Sequence, residues 1–398
     1  MKKVKDTNKE MPTDKVSVNK KRKKWLWILL ISFVAVITAI AIILTTFVKT
    51  TLNYDYQEIE KEPEALGFEE VISEKIINIA LFGVDTRNLN SFKGLSDSII
   101  ILSVNEKTKK VKLISVMRDS FVPITHNGAT SYSKINSAYS RGGPTLAVKT
   151  LNTIFGLDIS EYATVNFSGM ADIVDAVGGI EATITKNEIL YINAGVREIC
   201  SKRGQKSDPY LISDYGTVHL NGVQAVAYAR IRYTANIEGT SNDYGRTDRQ
   251  RYILEQIFNK AKTLNIETLI KLLKTLTPCC ETSVSYTEAL DLIVNVLLRS
   301  PTMEETRIPD TSYTMRAPKT NAGSVVYYDL NFAAKLIHNF IYEDIDPKDY
   351  IATNGIEKNN WYATGYVPPN FEQEEDDAVS SDTSNGDNNT EGTVSNTQ

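Results

Sequence analysis

The sequence predicts an α/β fold: one extracytoplasmic domain with a central mixed β-sheet sandwiched by helices, preceded by one transmembrane helix. Three observations carry this expectation. Strand-like and helix-like stretches alternate through the middle of the chain, the pattern of a sheet covered by helices. Two β-branched runs, DSIIILSVN and VKLISVMRD, flank the turn EKTKK and read as a hairpin, so the sheet cannot be purely parallel. A single segment is long and apolar enough to span a bilayer.

That segment, Trp25 to Val48, has no charged residue and follows Lys20-Lys21-Arg22-Lys23-Lys24. Positive flanks stay cytoplasmic, and Trp25 and Trp27 suit the interface. A cleaved signal peptide would share the basic start. The apolar stretch is too long for one, and no A-x-A site follows it. The expected location is the cell membrane, single-pass, with residues 1–24 cytoplasmic and the main domain extracellular. Residues 49–74 read as a polar stalk, 75–345 as the main domain and 346–370 as a C-terminal extension. Residues 371–398 hold eight acids and no Lys or Arg, the composition of a disordered tail.

Within the domain, residues 76–85 form an apolar strand, and the hairpin covers 97–119. Residues 145–157 have helical spacing. EYATVNF, GMADIVDAVGG and IEATIT read as strand, helix and strand. Residues 220–229 form a short helix followed by extended RIRY, and Thr247 to Leu264 an amphipathic helix. Residues 267–299 suggest two further helical stretches. SVVYYDL (324–330) reads as a strand and 331–342 as a helix.

Charge and motif content exclude several functions. The chain of 398 residues carries −5 overall, but residues 1–24 carry +7, leaving −12 elsewhere. A uniformly basic nucleic-acid binder is excluded, and a 24-residue tail is too short for a helix-turn-helix. No Walker A loop and no HExxH or Cys/His zinc spacing is present. Cys200, Cys279 and Cys280 leave a disulfide, a vicinal bridge or unpaired thiols all open. An extracytoplasmic enzyme has no ready ATP, so its substrate must arrive activated.

Several polar residues stand where strands meet loops, the edge at which such sheets present ligand sites. Asp85 and Asp97 are two carboxylates that together could hold a hard cation. Arg118 and Asp119 follow an apolar strand, where a simple edge salt bridge is equally compatible. Lys134 and Asn136 lie nearby. Arg230 and Arg232 alternate in RIRY and would share a face if extended. Arg246, Arg249 and Gln250 fall at i, i+3, i+4 of a helix, with Asp243 ahead and Arg251 rotated off that face. So many guanidinium groups would repel unless an anion lay between them. A diphosphate with a metal ion is the economical partner.

The order GVDTR, SDSIIILSVN, ISVMRDSFV, KINSAYSRGGP, VNFSGMADIVDAVGGIE, LNGVQAVAYARIRY and NDYGRTDRQR resembles the LytR-CpsA-Psr family of Gram-positive envelope proteins. The resemblance runs from about Ile76 to Leu264, and more weakly through 324–342. It implies a phosphotransferase that moves a glycopolymer phosphate, such as teichoic acid or capsule, from an undecaprenyl-diphosphate carrier onto peptidoglycan. Asp85 and Asp97 then match the metal-associated acids, for Mg²⁺ or Mn²⁺. Arg118, Arg230, Arg232, Asp243, Arg246 and Gln250 match the diphosphate and catalytic positions, with Lys134 and Arg249 expected beside them. Asp85 is the candidate base. The chain departs from the pattern at Leu95-Ser96, where many members carry Arg, and in a longer stretch between Arg232 and Asp243. The implied partners are a polyprenyl-diphosphate-linked glycan, a peptidoglycan acceptor and the cell membrane, with no nucleic acid. A polyprenyl-diphosphate pyrophosphatase would need the same phosphate site, and a non-enzymatic lipid-phosphate sensor would need a cytoplasmic output.

Overall fold

The computed structural model describes residues 55–57, 59, 62–86, 91–265, 267–269, 272, 279–295, 301–310 and 319–354. The expected membrane span, residues 49–54, 58 and 60–61 of the expected stalk, and the acidic tail lie outside them; the rest of the expected stalk is folded, with Ile59 and Leu66 in the core. Among the described residues no helix is long and apolar enough to cross a membrane.

In chain order the strands are β1 (Asp55–Tyr56), β2 (Ile76–Val84), β3 (Ser96–Asn105), β4 (Lys110–Val116), β5 (Phe121–His126), β6 (Ala129–Lys134), β7 (Glu161–Asn166), β8 (Ile180–Ile184), β9 (Gly216–Leu220), β10 (Cys280–Thr282) and β11 (Thr302–Ile308). The helices are α1 (Pro63–Leu66), α2 (Asn136–Phe155), α3 (Phe167–Ala176), α4 (Glu188–Lys202), α5 (Gly222–Ala229), α6 (Asn242–Ala261), α7 (Tyr286–Asn295), α8 (Leu330–Tyr342) and α9 (Pro347–Asn354). Seven strands build the main sheet in the order β1-β10-β7-β2-β3-β4-β11. The pairs β2–β3, β3–β4 and β7–β10 are antiparallel, whereas β2–β7, β4–β11 and β1–β10 are parallel. The sheet is therefore mixed, as the hairpin predicted.

β2 reads as a nearly continuous apolar run because both faces of the sheet are covered. On one face Phe82 and Ile101 pack with Leu151 and Phe155 of α2 and Leu336 of α8. Each such side chain removed from water contributes about 1.5–3 kcal/mol. On the other face Val104 and Val111 meet Phe258 of α6. A second core joins α3, α4, α5 and the antiparallel pair β8–β9.

α2 begins well before the helix expected from residue 145. Gly142 and Gly143 break it, Gly143 at φ 67°, a conformation other residues adopt at a cost. Pro144 then restarts the helix, a position where its missing N–H is harmless. α5 starts at a reciprocal cap between Asn221 and Gln224. It lies so close to α3 that a Cβ at Gly222 would sit 1.9 Å from the Ala171 carbonyl oxygen.

Two expected strands are not strands. RIRY is the end of α5 followed by a turn, with Arg230 as the C-cap. In SVVYYDL Ser324 ends a two-residue strand paired with Lys319, and Val326 makes an isolated bridge to Ser120. Its apolar content serves burial instead, since Val325, Tyr327 and Tyr328 are core residues.

Candidate active site

The expected site residues gather at one end of the sheet, where β2, β4 and β7 finish and β3 begins. A β-bulge there sets the geometry. Gly83 pairs with Ser98 and Val84 with Ser96, so Asp97 has no partner opposite it. Such an extra residue turns the strand locally and re-aims a side chain.

Asp97 accepts a 2.5 Å hydrogen bond from Arg118 Nη1. Arg118 lies in the turn after β4, and its Nε is 3.4 Å from Asp243 Oδ2 and 3.6 Å from Asp119 Oδ2. Lys134, at the end of β6, donates to Asp119 Oδ1 at 2.8 Å. Asp243, in the first turn of α6, accepts from two arginines: Arg232 Nη2 at 2.7 Å through Oδ1 and Arg246 Nη2 at 2.7 Å through Oδ2. Arg246 also donates to the Asp97 backbone carbonyl at 3.2 Å. Four cations thus interleave with Asp97, Asp119 and Asp243.

A second group surrounds Asp85, just past β2. Arg230 Nη2 is 3.6 Å and Lys202 Nζ 3.9 Å from its carboxylate. Arg230 stacks over the Phe167 ring, 4.6 Å from its centroid. Both of its terminal nitrogens donate to Glu198, which also accepts from Lys202 at 2.9 Å. A small cavity opens beside this group, lined by Thr86, Phe167, Lys202, Arg203 and Arg230.

The first group is under electrostatic tension. Burial opposes the Arg118 charge, yet Asp243 and Asp97 outweigh it and hold its pKa above the usual arginine value. Burial pulls Arg246 the other way, and the neighbouring Arg118 adds to the fall despite Asp243. Arg118 Nε and Arg246 Nε are both buried without a hydrogen-bond partner among the described residues. Orphaned buried donors of this kind are costly, and an incoming anion would satisfy them. Burial tends to raise Glu198, but Lys202 and Arg230 hold it below its usual range.

Two expectations need correction. Arg249 does not face the site. Its side chain is 0 % exposed and paired with Glu188. At about 100° per residue, positions 249 and 250 lie on opposite sides of Arg246. Gln250 stays partly exposed. Arg230 and Arg232 do not share a face by strand alternation either: they serve the two groups separately. Glu198 and Lys202 were missed because no motif covers residues 186–219. Their i, i+4 spacing is the signal that could have placed them on a helix.

A metal ion would find half a site here. Asp85 and Asp97 flank the bulge at neighbouring strand ends, and among the described residues no three acidic, His or Cys side chains gather to hold a metal ion. Mg²⁺ commonly takes one or two carboxylates and completes its shell with phosphate oxygens and water. Asp85 and Asp97 are carboxylates of the kind that mode uses.

Comparison with known proteins agrees with the fold and motif order. The LytR_cpsA_psr family matches residues 42–335. The chain is 29 % identical over 320 residues to a polyisoprenyl-teichoic acid–peptidoglycan teichoic acid transferase, TagU, of Bacillus cereus, covering 79 % of this chain and 95 % of that protein. The crystal structure of Bacillus subtilis TagV superposes with a TM-score of 0.52 at 26 % identity, covering 68 % of this chain and 98 % of that one. The YwtF (TagT) protein with bound octaprenyl pyrophosphate shares the fold, at a TM-score of 0.50 and 20 % identity over 72 % of this chain and 99 % of that one. The match over residues 42–335, in line with this motif order, places the chain in the LytR-CpsA-Psr family.

Proposed function

We propose that the chain is a membrane-anchored phosphotransferase that moves a glycopolymer phosphate from an undecaprenyl-diphosphate carrier onto peptidoglycan. One observation carries the reading: the guanidinium groups of Arg118 and Arg246 both reach Asp97, and each keeps a buried Nε that makes no hydrogen bond among the described residues. The transferase name of the Bacillus cereus relative and the octaprenyl pyrophosphate of the structural neighbour support it.

The diphosphate displaces the carboxylates that now occupy Arg118, Arg230, Arg232 and Arg246. These groups then neutralise charge that develops on the phosphoryl oxygens in the transition state. Mg²⁺, held by Asp85 and Asp97, would polarise the same oxygens. A hydroxyl of the peptidoglycan sugar attacks the phosphorus that bears the glycopolymer. The bond to the bridging oxygen breaks and undecaprenyl phosphate leaves, so the diphosphate supplies the driving energy. Asp85, whose side chain is 35 % exposed, takes the hydroxyl proton.

The test is transfer by the full chain in detergent, from a synthetic undecaprenyl-diphosphate glycan to peptidoglycan oligomers. Lipid monophosphate release is followed in parallel. Adduct formation is expected, and release without adduct under every acceptor would establish a pyrophosphatase instead. Asp97→Asn should lower transfer, with partial recovery in excess Mg²⁺, because Asp97 also seats Arg118. No recovery at any Mg²⁺ concentration would remove Asp97 from the metal site. The proposed orientation, with 1–24 cytoplasmic, predicts that protease shaves the domain from intact protoplasts, and protection would reverse it.

A further inference from the structure

The geometry points to Arg249 as a positioning residue that holds the turn carrying Arg232 in register with Asp243. The inference rests on the reading above, in which Arg232 contacts the diphosphate.

Arg249 Nε donates to Glu188 Oε1 at 2.8 Å, and Nη2 lies 2.7 Å from the same oxygen. The other Glu188 oxygen accepts from the Thr185 backbone N–H at 2.7 Å, so the carboxylate is anchored on both sides. The remaining Arg249 donors leave the pair. Nη1 donates to the Ile231 carbonyl at 3.2 Å, and Nη2 to the Thr234 carbonyl at 3.0 Å. The guanidinium carbon sits 5.6 Å from the centroid of the Tyr228 ring. Arg249 therefore clasps the chain immediately before and two residues after Arg232.

The clasp matters because Arg232 has little else to hold it. Its side chain is 32 % exposed, and its salt bridge runs to Asp243 on α6. The Asn242 N–H donates to the Arg232 carbonyl at 2.8 Å, again from α6. Arg249 lies on that helix one turn beyond Arg246. One helix thus carries Asp243 and Arg246 into the site while a buried arginine on it fixes where Arg232 enters. A lysine could keep the charge opposite Glu188. Its single nitrogen could not serve a carboxylate and two separated carbonyls at once.

The experiment is a double-mutant cycle on the full chain in detergent, reading affinity for geranyl diphosphate by calorimetry and melting temperature in parallel. Arg249→Lys should weaken binding about tenfold, the effect of losing hydrogen bonds to a charged group. The double variant with Arg232→Lys should bind no more weakly than Arg232→Lys alone, to within about twofold, because the two act through one contact. Paired with Lys134→Gln, across the site, the Arg249→Lys loss should add. Additive losses with Arg232→Lys would overturn the positioning role. If Arg232→Lys alone binds like wild type, the diphosphate reading fails first and the proposal with it. Should Arg249→Lys not fold, Glu188→Gln decides. It keeps an oxygen for Nε and both carbonyl contacts, so the melting temperature should fall while affinity stays within about twofold. Affinity falling in step with stability would show Arg249 to be structural only.

Discussion

Glu198 holds Arg230 with both oxygens: the two terminal guanidinium nitrogens each lie 3.2 Å from a separate carboxylate oxygen. This is the two-point geometry a phosphate would use, with a carboxylate in its place. Glu198 is half-exposed and can swing aside, so it behaves as a competitor that ligand must displace. Glu198→Gln should tighten geranyl diphosphate binding about two- to fivefold, in keeping with the small value of an exposed pair. Unchanged or weaker binding by calorimetry would mean that Glu198 orients Arg230 instead of competing for it.

Charge shape should matter as well as charge sign at Arg230 and Arg232. Replacing either by Lys keeps the charge and removes the paired donors. Transfer should fall by one to two decades, about 1.5–3 kcal/mol of transition-state interaction, while the fold persists. Arg251 is no neutral comparison, although it is off the site as its helical position implied. It is buried, donates to Asp248 at 2.8 Å, and lies 3.4 Å from Glu305 on β11. Exposed Lys107, in the turn between β3 and β4, is the proper control, and Lys107→Gln should leave transfer unchanged. If Arg230→Lys, Arg232→Lys and Lys107→Gln all transfer alike, the arginines are not phosphate contacts.

At the opposite end of the sheet, Asp344 receives Lys110 at 2.6 Å and Lys112 at 2.7 Å. Hydrogen bonds from Lys110 and Lys112 hold Asp344 below its usual 3.8, and those that Lys110 donates to Asp344 and Glu304 hold its own pKa above 10.5. The signs follow. The Asp344 contribution is present above pH 3.8 and is lost as pH falls through its lowered value, while the Lys110 contribution is present below pH 10.5 and is lost as pH rises through its raised value. Asp344→Asn should therefore lower the melting temperature by a constant amount across neutral pH. The two curves should converge well below pH 3.8. A gap that persists in acid would mean that the loss does not come from these ion pairs.

Much of the fold could be read from sequence wherever contacts are local. The hairpin β3–β4, the unit β7–α3 and the helices α5 and α6 carry their own periodicity and turns. β10 and β11 could not be read this way. β10 has three residues, and β11 reads TMEETRI, whose acids follow no simple alternation. SVVYYDL misled for a related reason: apolar content reports burial, and only backbone pairing distinguishes a strand. In the site, Asp97, Arg118, Asp243 and Arg246 were found because motif spacing preserved them. Arg249 was misassigned because i+3 and i+4 neighbours diverge around a helix that is buried on more than one side. Glu198 and Lys202 approach from a helix remote in sequence, which no spacing rule reaches.

The late arrival of the outer strands has a consequence for biosynthesis. β7 and β4 are the outermost strands of the four-stranded centre, and their partners come from residues 280–282 and 302–308. A chain delivered N-terminus first therefore has two bare hydrogen-bonding edges until its final third emerges. Bare edges recruit other chains, and such distant pairing is slow to form. A nascent chain stalled before residue 280 would already hold Asp97, Arg118, Asp243 and Arg246, yet would be prone to associate edge to edge with its neighbours. Full-length synthesis protects solubility here before it adds anything to chemistry.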